Sequence, residues 1–209
     1  MTQTLTHVYN DYASAQQTVR DLKAAGLGDT HIGIVASNAD GWHKPNSDNN
    51  VDPAHDKDRD GKDDRSEGAA TGGGIGAIAG GAAGVAAGLG MLAIPGIGPV
   101  VAAGWLASLA AGAVAGGATG GIIGALVESG TSKENAALYA EALRRGGAIV
   151  TAKVADEDAA KYKAIMMQND VDILARGNDW RSSGWSGYDP KAPVYTAEEV
   201  LHEREIYSR

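Results

Sequence analysis

The amino-acid sequence predicts an α+β protein in which two βαβ halves form a four-stranded ferredoxin-like sheet. Two observations lead to this fold class. A strand–helix–strand pattern in residues 1–37 recurs in residues 128–175, and a window without any charged residue, 69–127, lies between them. The window is rich in Gly and Ala, and we expect it to be a helical hairpin inserted between the two halves of the sheet.

The first half, residues 1–37, begins with a strand, because residues 5–9 mix apolar and polar side chains as a half-buried strand does. A helix follows, since Ala15, Val19 and Leu22 share one helical face and Gly26 offers a stop. The short apolar run at residues 32–35 is predicted to be the second strand.

The second half, residues 128–175, starts with the capping box Thr-Ser-Lys-Glu at residues 131–134. The helix that it begins should end at Gly146 and Gly147, before a strand at 148–154. A helix through about Gln168 and a last strand at 171–174 complete the prediction. The polar tail, residues 176–209, has a short helix from Thr196 and three aromatic residues that we expect to dock, either on this chain or on a binding partner: Trp180, Trp185 and Tyr188.

The inserted window, residues 69–127, is predicted to form two helices around a tight turn, because Pro95 and Pro99 cannot lie within one continuous helix. Glycine recurs in both arms at multiples of four residues, which places it along one stripe of a helix. Such a stripe lets two helix backbones approach closely. The predicted helix-packing residues are Gly72, Gly76, Gly80, Gly84 and Gly88 in the first arm and Gly104, Gly112, Gly116, Gly120 and Gly124 in the second.

The surroundings of this hairpin have two interpretations. An arm of about 25 residues would reach roughly 37 Å, which exceeds the ~30 Å hydrocarbon core of a bilayer. Ala and Gly are only weakly hydrophobic, however, and a homo-oligomeric core in water would bury the same surface. The predicted partners are therefore further copies of the chain and a lipid bilayer, with a soluble oligomer as the alternative.

The linker, residues 38–68, is polar and acidic, and it contains a match to the twelve-residue calcium loop with Gly61 at the turn. Calcium prefers oxygen ligands, and carboxylates recur here at the required spacing. The competing interpretation is a solvated acidic linker with no metal. The candidate calcium ligands are Asp56, Asp58, Asp60, the carbonyl of Lys62, Asp64 and Glu67.

Composition narrows the function further. A net charge of −8 argues against nucleic acid, whose phosphates require Lys and Arg. The chain has no cysteine, and it contains neither a phosphate-binding loop nor a nucleophile elbow. We therefore expect no enzyme, no catalytic residue, no cofactor other than calcium and no small-molecule substrate. The polar N-terminus lacks the layout of a signal peptide, which favours the cytoplasmic side of a membrane or the cytoplasm.

The chain resembles a bacterial family of general stress, heat-induced or low-temperature-induced proteins. The resemblance rests on the opening strand–helix–strand, on Leu-Ala-Ile-Pro-Gly-Ile-Gly-Pro-Val at residues 92–100 and on Leu-Arg-Arg-Gly-Gly at 143–147. It implies a ferredoxin-like domain with an embedded hydrophobic hairpin and a role in stress, and it supplies no catalytic residues. The predicted function is a non-enzymatic, stress-associated membrane protein that self-assembles through its glycines. The alternative is a soluble homo-oligomeric scaffold or shell, with or without calcium regulation.

Overall fold

The computed structural model describes residues 1–44, 90–94, 96–107 and 121–207. This part is an α+β fold with a five-stranded antiparallel sheet in the order β1-β5-β2-β4-β3. The strands are β1 (Thr2–Tyr9), β2 (Ile32–Ser37), β3 (Gly90–Ile94), β4 (Gly98–Gly104) and β5 (Ala148–Ala155). The α-helices are α1 (Tyr12–Ala24), α2 (Gly121–Glu128), α3 (Lys133–Arg144), α4 (Ala159–Met166), α5 (Ile173–Ser182) and α6 (Ala197–Tyr207), and a 3-10 helix spans Asp29–His31.

The strand–helix–strand predicted for residues 1–37 is confirmed. Asp11 caps α1 by accepting a hydrogen bond from the Ser14 amide at 2.8 Å, and α1 buries the predicted apolar face. Both β1 and β2 pair antiparallel with β5, so they run parallel to each other with β5 between them. The two strands are thus the outer members of a split βαβ unit.

The predicted last strand, residues 171–174, is wrong. Asp172 accepts hydrogen bonds from the amides of Leu174 and Ala175 and caps α5, which begins at Ile173. An N-cap of this kind favours helix over a four-residue apolar run. Among the described residues, a single backbone hydrogen bond joins this segment to the sheet, from the Val171 amide to the Val8 carbonyl at 2.8 Å. The ferredoxin-like arrangement of two βαβ halves is therefore not confirmed.

The helices predicted on either side of the turn are also wrong for residues 90–104, which form the β-hairpin β3–β4. β4 pairs with β2 from Ser37 opposite Val100 to Gly33 opposite Gly104. The turn itself lies where the prolines predicted it, with positive φ at Gly96 and Gly98. As a strand, residues 98–104 hydrogen-bond through their backbone to β2. A helix at these residues would leave the edge of β2 unpaired.

Helices cover both faces of the sheet. One face packs against α1 and α4 around Tyr9, Leu22 and Ile34. The other packs against α2, α3, α5 and the tail around Leu126 and Leu143. Across the described ranges, we find no helix long and apolar enough to cross a membrane.

Candidate functional site

The predicted packing glycines fall mostly outside the described residues. Gly104 is described and ends β4 with a φ of +72°, where an added Cβ would overlap the carbonyl oxygen of Ile32. Gly104 thus allows two strands to approach closely and does not lie on a helical stripe. Gly124 lies in α2, and an added Cβ there would meet nothing within 4 Å. The glycines outside the described residues are Gly72, Gly76, Gly80, Gly84, Gly88, Gly112, Gly116 and Gly120.

Both glycine-rich segments join the described body at the same end of the sheet. Gly90, the first residue of β3, pairs with Ala102, two residues before the end of β4. The chain therefore enters β3 and leaves β4 side by side. Beyond β4, Leu106 is fully buried against the backbone of Gly33, which fixes the start of the second segment to the body.

The three aromatic residues of the tail lie against their own chain. Trp180, on α5, is 2% exposed and makes an edge-to-face contact with Trp185 at 5.7 Å between ring centroids. Trp185 and Tyr188 pack, partly buried, on the core formed with α3. The guanidinium of Arg145 stands 4.8 Å from the Trp180 ring, a cation–π distance.

A buried ionic cluster joins α3 to α6. Glu141 is fully buried and accepts hydrogen bonds from Arg145 at 2.7 Å and Arg144 at 3.3 Å, while Arg145 also pairs with Glu203 at 2.9 Å. Burial acts to lower the pKa of Arg145, but the hydrogen bond to Glu141 and the charge of Glu203 outweigh it, so this pKa lies above its ordinary value. The cluster holds α6 against α3, because the buried carboxylate of Glu141 requires both Arg144 and Arg145 as partners.

A groove runs along the outer edge of β1, and we call it the edge groove. It has a volume of about 330 Å³ and is lined by residues 3–7 of β1, by residues 130–132 with Asn135 and Tyr139 at α3, and by Ala159, Ala160 and Lys163 of α4. At one end of the groove, His7 Nδ1 lies 2.6 Å from a carboxylate oxygen of Asp170. Sequence reasoning missed both this groove and the ionic cluster, since each depends on residues far apart in the chain.

The candidate calcium ligands, Asp56, Asp58, Asp60, Lys62, Asp64 and Glu67, lie outside the described residues. Within the part of the chain that the structure describes, no group of three or more His, Cys, Asp or Glu side chains could hold a metal ion.

Comparisons with known proteins found no family model, no curated protein and no solved structure that matches this chain. The resemblance to stress proteins therefore remains a hypothesis from short sequence motifs.

Proposed function

We propose that this is a non-enzymatic, self-assembling protein whose glycine-rich segments, 69–89 and 108–120, pack against those of other copies. The observation that carries the proposal is the common end of the sheet at which the two segments join β3 and β4. Segments that leave a body side by side can pack together, and glycine at every fourth position lets helices do so closely.

The surface at Gly124 supports the same function. This glycine lies at the register of the second stripe, and the space beside it is open within the described residues. Val127 on the same helix is 41% exposed. A helix that presents glycine and an exposed apolar side chain together is suited to receive another helix.

The pairing of β4 with β2 favours assembly over a hairpin that spans a bilayer. If the turn at 94–99 lay on the far side of a membrane, β4 could not pair with β2. With this pairing kept, each glycine-rich segment would have to cross the bilayer and return by itself. As helices, residues 69–89 and 108–120 would measure about 32 and 20 Å. Two crossings of a ~30 Å hydrocarbon core require a helical segment about twice as long as the longer of these two. The proposed location is the cytoplasm, and the proposed stress context rests on the sequence resemblance alone.

The test is the particle mass of the full chain, measured by light scattering with and without detergent. We expect a large particle in both conditions for the wild type and for the controls Gly80→Ala and Gly116→Ala, because Ala keeps a stripe narrow. Gly80→Leu and Gly116→Leu should reduce the mass, because Leu separates the helices.

Two outcomes would contradict this proposal. One is an unchanged mass in both Leu variants. The other is recovery of the wild type with cell membranes after a carbonate wash and its release by detergent alone, which would instead support the membrane protein predicted from the sequence.

A further inference from the structure

The outer edge of β1 has backbone groups that no described residue pairs. The carbonyls of Thr6 and Val8 point away from β5, since they accept bonds from the Tyr139 hydroxyl at 3.2 Å and the Val171 amide at 2.8 Å. Backbone groups alternate sides along a strand, so the backbone groups of Thr2 and Thr4 also point away from β5. Neither has a backbone partner there among the described residues.

The open stretch is bounded at one end. The loop before α5 occupies the edge at Val8 through Val171, which leaves residues 2–6 accessible along the edge groove. Thr4 is the centre of that stretch. A strand added here would hydrogen-bond to Thr2, Thr4 and Thr6, because a carbonyl such as that of Thr6 has two lone pairs and can accept a second donor.

The sequence of the open stretch is nearly a palindrome, Thr-Gln-Thr-Leu-Thr. An antiparallel partner with the same sequence, centred on Thr4, would place Thr opposite Thr at every position whose backbone groups point away from β5. Thr4 would face Thr4 of the other copy, and Thr2 would face Thr6. Cross-strand Thr pairs are favourable in sheets, so the stretch complements itself across a twofold axis.

The charge of this stretch is compatible with a second copy. The chain carries a net charge of −8, so two copies repel each other on average. Residues 2–6 carry no charge and include neither Lys nor Pro, the residues with which proteins commonly block strand pairing. Two acidic chains can therefore meet here without opposing like charges along the strand.

We infer that two copies of this protein pair through β1, antiparallel about Thr4, and so join their sheets into one continuous sheet. The inference does not depend on the glycine-rich segments, which would make a separate contact. The twofold pairing is closed, since each copy offers one β1 edge and uses it once.

Disulfide trapping tests this register in the full chain, which has no cysteine of its own. In a hydrogen-bonded antiparallel pair, opposite Cα atoms are about 5.5 Å apart, within the range that a disulfide spans. Thr4→Cys should therefore form a covalent dimer on mild oxidation. The matched control is Thr2→Cys, whose two copies would lie roughly 14 Å apart and should not cross-link.

A second variant, Thr4→Pro, removes the outward amide at an edge position that tolerates proline. In the Gly80→Leu background, where the glycine contact is weakened, we expect it to reduce the particle mass about twofold. Equal cross-linking of Thr4→Cys and Thr2→Cys, or none in either, would overturn the inference, and so would an unchanged mass with Thr4→Pro. An unchanged mass in Gly80→Leu itself would instead count against the glycine contact, so the two failures are distinguishable.

Discussion

Arg204 of α6 donates two hydrogen bonds to the carbonyl oxygen of Gly146, from Nε at 3.1 Å and from Nη2 at 2.7 Å. Its guanidinium also pairs with Asp40, which follows β2. One side chain of the tail thus holds the loop after α3 and the loop after β2 together. Val200, one helical turn earlier, is fully buried against Gly146.

Arg204→Met should loosen the tail, because it removes hydrogen bonds from a charged donor and leaves Asp40 without its cation. Bonds to charged groups contribute about 1.5–3 kcal/mol, and we expect a loss of that size in the free energy of unfolding in urea. Amide exchange in residues 197–207 should become faster. His202→Ala is the control, since this exposed residue lies on the same helix; an equal loss in both variants would contradict the role assigned to Arg204.

Gly104→Ala and Gly124→Ala should have opposite effects on stability. Gly104 has positive φ, and a Cβ there would overlap the Ile32 carbonyl, so we expect a loss of more than about 2 kcal/mol. Gly124 is helical with open space, and Ala there should add about 0.5–1 kcal/mol. Urea unfolding of the two variants measures both. Similar values for the two would mean that residue 104 is helical, as the glycine spacing predicted.

The elements that the sequence predicted correctly carry their own local signals. The face of α1 repeats with helical period, and two glycines precede β5. The predicted capping box lies at the start of α3, but the cap is Ser132 and not Thr131. Each of these patterns acts within a few residues, so a reader of the sequence alone can find it.

Apart from α5, whose cap Asp172 is a local signal, the features that were missed depend on distant residues. Residues 98–104 are strand because β2 offers an open edge across more than 60 positions of sequence. Spacing of glycines cannot reveal that partner. The same holds for the ionic cluster, in which Arg145 and Glu203 are 58 residues apart. The edge groove likewise needs β1, α3 and α4 to be placed before it exists.

Tyr9 should make the protein sensitive to alkali. Its hydroxyl donates to the Met166 carbonyl at 2.9 Å, and burial raises the pKa of the phenol well above its ordinary value of 10.0. A hydrogen bond with Thr18 opposes this shift and the charge of Asp170 adds to it. The folded state therefore favours the neutral phenol. Its contribution is complete below the unfolded pKa and is lost as pH rises from there through the folded pKa.

Tyr9→Phe should lower the free energy of unfolding by about 0.5–1.5 kcal/mol at neutral pH, through the lost hydrogen bond. Above about pH 10 its stability should decline less steeply than that of the wild type. The urea midpoint, measured across this pH range, gives both values. Parallel curves for the two proteins would show that Tyr9 does not titrate with unfolding.

Calcium should stabilise the protein, because the loop predicted at residues 56–67 offers carboxylates at the spacing that calcium requires. Calcium that binds only the folded protein raises the midpoint of thermal unfolding in proportion to the logarithm of its concentration. Asp60→Ala should abolish the rise, and Asn49→Ala, outside the loop, should keep it. No rise in the wild type would leave the acidic linker as the correct interpretation.

Trp180 distinguishes docking of the tail on its own chain from a binding platform. The residue is 2% exposed, and its ring contacts both Trp185 and the guanidinium of Arg145. Trp180→Ala should therefore cost about 3–5 kcal/mol of unfolding free energy, as large-to-small changes in a core do. Trp180→Phe keeps most of the apolar contact and should cost less. An Ala variant as stable as the wild type would contradict intramolecular docking, and would point to the partner surface that the tail's composition also allowed.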